Sequence, residues 1–280
     1  TTVEEIRSRS KTRYYPVEVG SVVAGLKDDT RRFAVTGLPC FIKGIQNLRR
    51  FSAEWRDRIP FTISLFCGHL KSRFFTENLL HAVGVPRDET STIDYRRKLP
   101  GKTANNYIFG VFTRGVWKDR DMANIAASDW GSGSFKYYAC NFCDDVIGET
   151  ADVSVGDVWL PRYRVDGGGT NNVVTRNPLI DDLIDQGRAE GRLWVEPLTV
   201  EEVHSSTKGG FEDRRAGTSV RWHLEKEAGG SPPPKRFITE KRVRCARSEV
   251  HAFKVLIGIY STPLFRFLNR FGAVGLFRIL

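Results

Sequence analysis

Five cysteines stand in the chain, at 40, 67, 140, 143 and 245. Cys140 and Cys143 form a C-x-x-C, and the two-residue spacer lets both sulfurs face one metal. A pair is half of a four-ligand site. Cys40 follows "RRFAVTG" (31–37), which reads as a strand. It opens a helix expected over "LPCFIKGIQNLRRF", where Pro39 suits the first turn and Phe41, Ile45 and Leu48 recur with helical spacing. Cys67 ends a second apolar strand, "PFTISLFC" (60–67). If these strands are parallel neighbours, both cysteines lie at one carboxyl edge, where ligands gather in open α/β sheets. Four thiolates suit a 4Fe–4S cluster or a structural zinc, and spacing alone does not choose between them. Cys245 is left over.

The elements that must position these residues alternate. After the second strand comes a helix over "LKSRFFTENLLHAV" (70–83), and strand, helix, strand, helix argues for an α/β unit. Strands are expected at 91–98 and 105–114 around a Pro-Gly turn, then a helix over "MANIAASDW" (122–130). "ADVSVGDVWL" (151–160) alternates as a strand should, 170–177 is another short strand, and "NPLIDDLIDQGRAEG" (177–191) has a helix start and a Gly stop. The expected fold is a mixed, largely parallel sheet with flanking helices. "GGSPPPKR" (229–236) reads as a linker between a domain at 1–228 and a basic amphipathic tail at 237–280, in which Pro263 and Gly272 would interrupt a long helix.

Of 280 residues, 40% are hydrophobic and 27% charged, as in ordinary globular chains. Scattered cysteines in odd number fit a reduced compartment better than a disulfide framework. No uncharged apolar run is long enough to span a membrane, and residues 1–15 hold no signal-peptide core. A cytoplasmic location is expected, and a chain beginning with Thr reads as a piece of something longer or a processed form. The net charge of +10 is uneven. Residues 231–280 hold ten Lys/Arg against two Asp/Glu, leaving 33 basic and 31 acidic residues before them. The basic charge is thus a property of the tail, which could meet an anionic membrane surface at the inner face or a partner protein. It does not indicate nucleic acid.

Several other residues are candidates. Gly37 and Gly68, beside Cys40 and Cys67, would let backbone N–H groups approach a cluster, or serve plain strand-to-helix turns. Asp144 and Asp145 read as turn formers. Gly156 and Asp157, at a strand end, could face a bound ligand or substrate, or only solvent. Arg96, Arg97, Lys98 and Lys102 could bind an anionic cofactor tail. "DGGGTNNVVTRN" (166–177) could cradle a phosphate but lacks a dinucleotide fingerprint and reads first as a loop. His69 reads first as a structural residue and second as a donor to a cluster sulfur.

The cysteine segments resemble those of the coenzyme F420 hydrogenase/dehydrogenase beta-subunit family. "FAVTGLPCFIKGIQNL", "SLFCGHLKSRFF" and "CNFCDDVIGETADVSVGDVW" are similar to its three cysteine-bearing blocks, while "SRSKTRYYPVEVG" and "YRRKLPGK" resemble flanking segments. The resemblance runs in order from about residue 8 to 191. It implies an iron–sulfur flavoprotein oxidoreductase or redox subunit, with Cys40, Cys67, Cys140 and Cys143 holding a 4Fe–4S cluster. A flavin, FAD by the family pattern, would lie nearby, with Gly37, Lys102, Gly156 and Asp157 as its candidate contacts. The expected partner is a redox protein or subunit, and electrons would pass between a carrier (F420, ferredoxin or similar) and a reducible organic substrate. Three departures bear on the flavin rather than the cluster. The chain begins after the family's ferredoxin-like and Ser-Gly-Gly segments, Cys-Gly-His at 67–69 replaces Cys-His-Gly, and Lys102 stands where a Trp is expected. The rival expectation is a non-redox scaffold module with a four-cysteine zinc site.

Overall fold

A computed structural model describes residues 2–242 and 245–279; residues 243, 244 and 280 of the expected tail, and residue 1, lie outside them. The strands are β1 (Ala34–Gly37), β2 (Phe61–Leu65), β3 (Thr92–Arg97), β4 (Ile108–Thr113), β5 (Val116–Asp121), β6 (Val153–Asp157) and β7 (Asn171–Thr175). They form two sheets. One has the order β1-β2-β6-β7, with β1, β2 and β6 parallel and β7 antiparallel at the edge. The other is the antiparallel meander β3-β4-β5. The mixed, largely parallel sheet expected from the strand–helix alternation is therefore present.

The Pro39–Phe51 helix crosses back over the first sheet, with Ile42 and Ile45 buried and Pro39 in its first turn as expected. Its Gln46 donates to Thr62 Oγ1 at 3.0 Å, and Thr62 in turn donates to Asp152 at 2.7 Å. These bonds lock helix and sheet at the edge opposite the cysteines. The Arg73–Val83 helix packs its Phe75, Leu79 and Leu80 into the main core. The Pro178–Ala189 helix starts at a capping Asn177, and Gly191 follows its end at φ 67°.

Two local expectations needed correction, and one strand, β5, was not read from the sequence. Residues 122–130 are not a helix but short 3₁₀ turns, Met122–Asn124 and Trp130–Ser132. Ser128 Oγ bonds the Met122 carbonyl at 2.6 Å and Asp129 caps the second turn, so short polar side chains compete with the helix backbone. β5 joins β4 through Arg114-Gly115, both at positive φ, a hairpin without the usual Asn-Gly cue. Pro263 does not break the C-terminal segment, because Ala246–Arg270 is one 25-residue helix that ends ahead of Gly272 at φ 65°.

That helix belongs to the main core. Phe265 is 1% exposed and meets Phe135 and Phe277 with ring centroids 5.6 Å apart in each case. The 229–236 stretch is irregular but tied to the body. Arg236 pairs with Asp144 at 3.3 Å and Glu149 at 2.6 Å, and Trp222 Nε1 donates to the Pro233 carbonyl. Ahead of it, Lys208–Glu227 runs as one helix whose Asp213–Gly217 portion is a wider π turn.

Candidate functional site: four thiols at one sheet edge

Because β1 and β2 are parallel and in register, Gly37 opposite Ser64, the residues after both emerge at the same edge. Cys40 lies in the first turn of the helix after β1, and Cys67 lies two residues past β2. The C-x-x-C approaches from above. Cys140 is within a 3₁₀ turn, Tyr138–Phe142, and Cys143 caps it. Two contacts join the halves: the Leu70 amide donates to Cys140 Sγ at 3.4 Å, and the Cys67 amide donates to the Val146 carbonyl at 2.9 Å. Asp145, fully buried, accepts from the Gly148 amide at 2.8 Å and so acts as the turn former the sequence suggested.

The four thiols act on one another electrically. Burial pushes Cys67 up to about 12; Cys140, Cys143 and Cys40 push the same way, and Arg214 opposes them. Cys40 is raised by desolvation, then by Cys143 and Cys140. Cys245 stands apart, exposed at the start of the long helix, its thiol lowered by the Ser248 backbone amide. Among the described residues, no group of three or more His, Cys, Asp or Glu side chains is drawn together tightly enough to hold a single metal ion. The donor set is nonetheless uniform in chemistry: four sulfurs, with buried N–H donors around them. His69 Nε2 and Arg214 Nε are buried and lack a hydrogen-bond partner among the described residues. The Arg214 Nε, on the guanidinium that bonds the Cys140 carbonyl, fits a group that brings acceptors of its own, as the sulfides of a cluster do.

Positive charge surrounds the pair. Arg214 and Arg221, each 2% exposed, reach over from the 208–227 helix. Arg214 donates to the Cys140 carbonyl at 2.8 Å, Arg221 to the Asn141 carbonyl at 2.8 Å, and Thr218 to the Cys143 carbonyl at 3.1 Å. Arg221 also pairs with Asp213 at 3.0 Å, and His251 of the long helix stands 3.5 Å from Asp213. Burial opposes the charge on Asp213, yet His251, Arg221, Lys136 and Arg214 together hold it well below the carboxylate range. Nothing in the sequence flagged these arginines.

His69 is buried, and burial first, then Lys71 and Arg214, pushes it well below its usual value, so it is neutral. It stacks on Trp130 at 4.8 Å. Gly68 serves that indole, since a Cβ there would fall 2.3 Å from Trp130 Nε1. Trp130 touches Tyr14 at 4.5 Å. Tyr14, raised by burial, also senses Tyr107, Arg96 and Asp157. Ring contacts thus run from His69 through Trp130 to Tyr14, and Arg96, which bonds Asp157, lies over Tyr107.

The four candidate flavin residues fall in different surroundings. Gly37 closes β1 directly before the Cys40 helix. Gly156 has its open side filled by Phe66, whose ring and Cβ lie 2.2–2.5 Å from where a Cβ would stand. Asp157 accepts from Arg96 at 2.7 Å, and Arg96 lies over Tyr107 at 4.9 Å and near Trp159 at 5.8 Å. Lys102 lines a cavity of about 520 Å³ with Lys98, Thr103, Gly167 and Gly168, bringing the basic strand and the glycine run together. Asp166 already takes the Gly168 amide through its side chain and the Gly169 amide through its carbonyl. Lys98 Nζ donates to the Ala104 carbonyl at 3.0 Å and Lys102 Nζ stands 3.8 Å from Asp121, so both ammonium groups already have partners. A second cavity of about 750 Å³, lined by Tyr15, Phe74, Lys136, Tyr137, Tyr138 and Ile259 among others, opens just upstream of Cys140.

A family model for the C terminus of the coenzyme F420 hydrogenase/dehydrogenase beta subunit matches residues 30–201. Among curated proteins, the coenzyme F420 hydrogenase subunit beta of Methanosarcina barkeri (strain Fusaro / DSM 804) is 26% identical over 212 residues. That alignment takes in 72% of this chain and 64% of the relative, so the chain spans less than two thirds of the relative's length. Among solved structures, a chain of the F420-reducing NiFe hydrogenase complex from Methanosarcina barkeri superposes with a TM-score of 0.53 at 18% identity. The overlap covers 81% of this chain and 73% of that one, a likeness of fold.

Proposed function

The chain belongs to the coenzyme F420 hydrogenase/dehydrogenase beta-subunit family, and from that premise we propose that it is an iron–sulfur flavoprotein redox subunit. The observation that carries this reading is geometric: parallel β1 and β2 bring Cys40 and Cys67 to one sheet edge, and the Leu70 amide, three residues past Cys67, donates to Cys140 Sγ of the C-x-x-C at 3.4 Å. A 4Fe–4S cluster bound there supplies one-electron transfer, and a flavin would divide two-electron chemistry into single steps. The chain's own residues do the positioning. Cys40 and Cys67 are fixed by parallel strands, and the C-x-x-C is fixed by Arg214, Arg221 and Thr218 through its carbonyls. The Arg214 guanidinium would offer N–H groups to sulfur.

The flavin would lie on the aromatic side, near Arg96, Asp157 and Trp159, with an anionic tail over Lys98 and Lys102. Gly156 supports it only indirectly, through Phe66. The reducible organic substrate would enter the cavity beside Lys136 and Tyr138, and F420, ferredoxin or a similar carrier would supply the electrons. The partner is a redox protein of the same assembly. A docking surface is available on the long helix. Phe253, Leu256, Tyr260 and Phe267 are exposed on the side opposite buried His251 and Phe265, with exposed Arg266 and Arg270 close by. An anionic membrane surface is the other candidate for that face. Among the described residues no helix is long and apolar enough to cross a membrane.

Anaerobic purification tests the reading. The protein should be brown, bleach with dithionite, carry about four irons per chain as a 4Fe–4S cluster requires, and release a flavin on denaturation. Cys140→Ser should abolish the iron, while Cys245→Ser should leave it unchanged. Colourless protein with one zinc per chain would overturn the redox reading in favour of a scaffold module.

A further inference from the structure

Family membership rests on residues 30–201, yet the cations that close over the cysteine pair come from beyond them. We propose that Arg214, delivered by the π turn of the 208–227 helix, is a tuning residue that raises the reduction potential of the cluster. This deepens the proposed function and rests on it. Arg214 is almost wholly buried, and its one hydrogen bond among the described residues goes to the Cys140 carbonyl at 2.8 Å. It makes no ion pair among the described residues, whereas its neighbour Arg221 is matched to Asp213. A buried guanidinium is costly without counter-charge. Asp213 is already paired to Arg221 and supplies only part of it, and the thiolates of a bound cluster, beside the Cys140 carbonyl that Arg214 holds, would supply the rest. Arg214 interacts with Cys143, Cys67 and Cys140 as well as Asp213. Its unpaired Nε adds a donor on the same guanidinium. A π turn shifts the residues after it out of the regular helical frame, and such turns recur at functional sites.

The physical consequence is a sign. A four-thiolate cluster becomes more negative on reduction, and a fixed positive charge in low dielectric stabilises the more negative state. Lys136, Arg221 and Asp213 also face this volume, the last with the opposite sign.

Potentiometric titration of the purified, cluster-loaded protein, followed by visible absorbance or EPR with iron counted in each sample, tests this. In Arg214→Gln the reduced-to-oxidised ratio at a fixed potential should fall about tenfold, a midpoint about 59 mV lower for a one-electron couple. Arg214→Lys keeps the charge and should stay near the parent value. Asp213→Asn removes a negative neighbour and should move the midpoint upward. Opposite shifts from adjacent residues are not what a purely structural role produces. If all variants hold iron and the midpoints do not move with charge, the role of Arg214 is overturned. If Arg214→Gln fails to assemble a cluster, Asp213→Asn decides: an upward shift supports the assignment, and no shift or a downward one overturns it. Parent protein without iron would instead refute the cluster itself.

Discussion

Lys71 shows how much a single buried side chain can say. It is 1% exposed, donates to the Ser134 carbonyl at 2.6 Å and lies 4.7 Å from the Trp130 ring centroid. Burial pushes it down to about 7. The unfolded chain then binds more protons than the folded one between that value and the ordinary 10.5, so stability rises with pH across the window. The cost of the charged form is full below pH 7. Between pH 7 and 8.5, before free cysteines titrate, unfolding free energy should climb, with at most about 1.4 kcal/mol per pH unit from this one lysine. Lys71→Met should flatten the climb, and an unchanged slope in denaturant titrations would exclude Lys71 as its source. The cysteines allow a second test at this scale. In cluster-free protein, Cys245 should react with iodoacetamide well before Cys67, whose thiol is held up at about 12. Peptide mass spectrometry reads the order directly; equal rates would contradict the burial described. Such residues differ in legibility. Cys40 and Cys67 could be placed together from sequence because parallel strands force their ends to one edge. Lys71 and Arg214 could not, because a lone basic residue in a helix or loop looks like surface until the fold covers it.

At the scale of elements, the loop leading to the C-x-x-C is clamped from both sides. Its Phe135, at φ 58°, donates its amide to Ser261 of the long helix at 2.8 Å and accepts from the Ser72 amide at 2.8 Å. Phe265, one helical turn beyond Ser261, fills the space below. Phe265→Ala should cost about 3–5 kcal/mol, as is usual for a buried aromatic, with a matching fall in thermal midpoint. A loss below about 1 kcal/mol would mean that the long helix is not part of the cooperative core. This helix was the least legible element. It read as a basic amphipathic tail apart from the body, and Pro263 argued for a break, whereas its His251, Ser261 and Phe265 are buried against the body. The 208–227 helix was hidden for the opposite reason: its buried residues include Thr218, Ser219, Arg214 and Arg221, and no apolar stripe announces it. The first sheet, by contrast, was legible almost strand by strand, because β2 and β6 sit in short apolar or alternating runs bounded by turn residues.

For the whole molecule, the exposed stripe of Phe253, Leu256, Tyr260 and Phe267 is the feature that a solitary globular protein would not favour. Flotation with vesicles containing anionic phosphatidylserine separates the two proposed occupants. Binding that disappears in Phe253→Glu/Phe267→Glu would assign the face to membrane. Failure to bind, with loss of co-purification of the redox partner in the same variant, would assign it to protein. The order of the chain has one more consequence. Cys40, Cys67 and the C-x-x-C are complete by residue 143, but the arginines that close over them end only at 221, about 80 residues later. At translation rates of about 5–20 residues per second, the thiol set stays uncovered for roughly 4–16 s during synthesis. If a cluster binds as proposed, its iron and sulfide could be delivered before the 208–227 helix covers the pair, and that helix would then act as the seal.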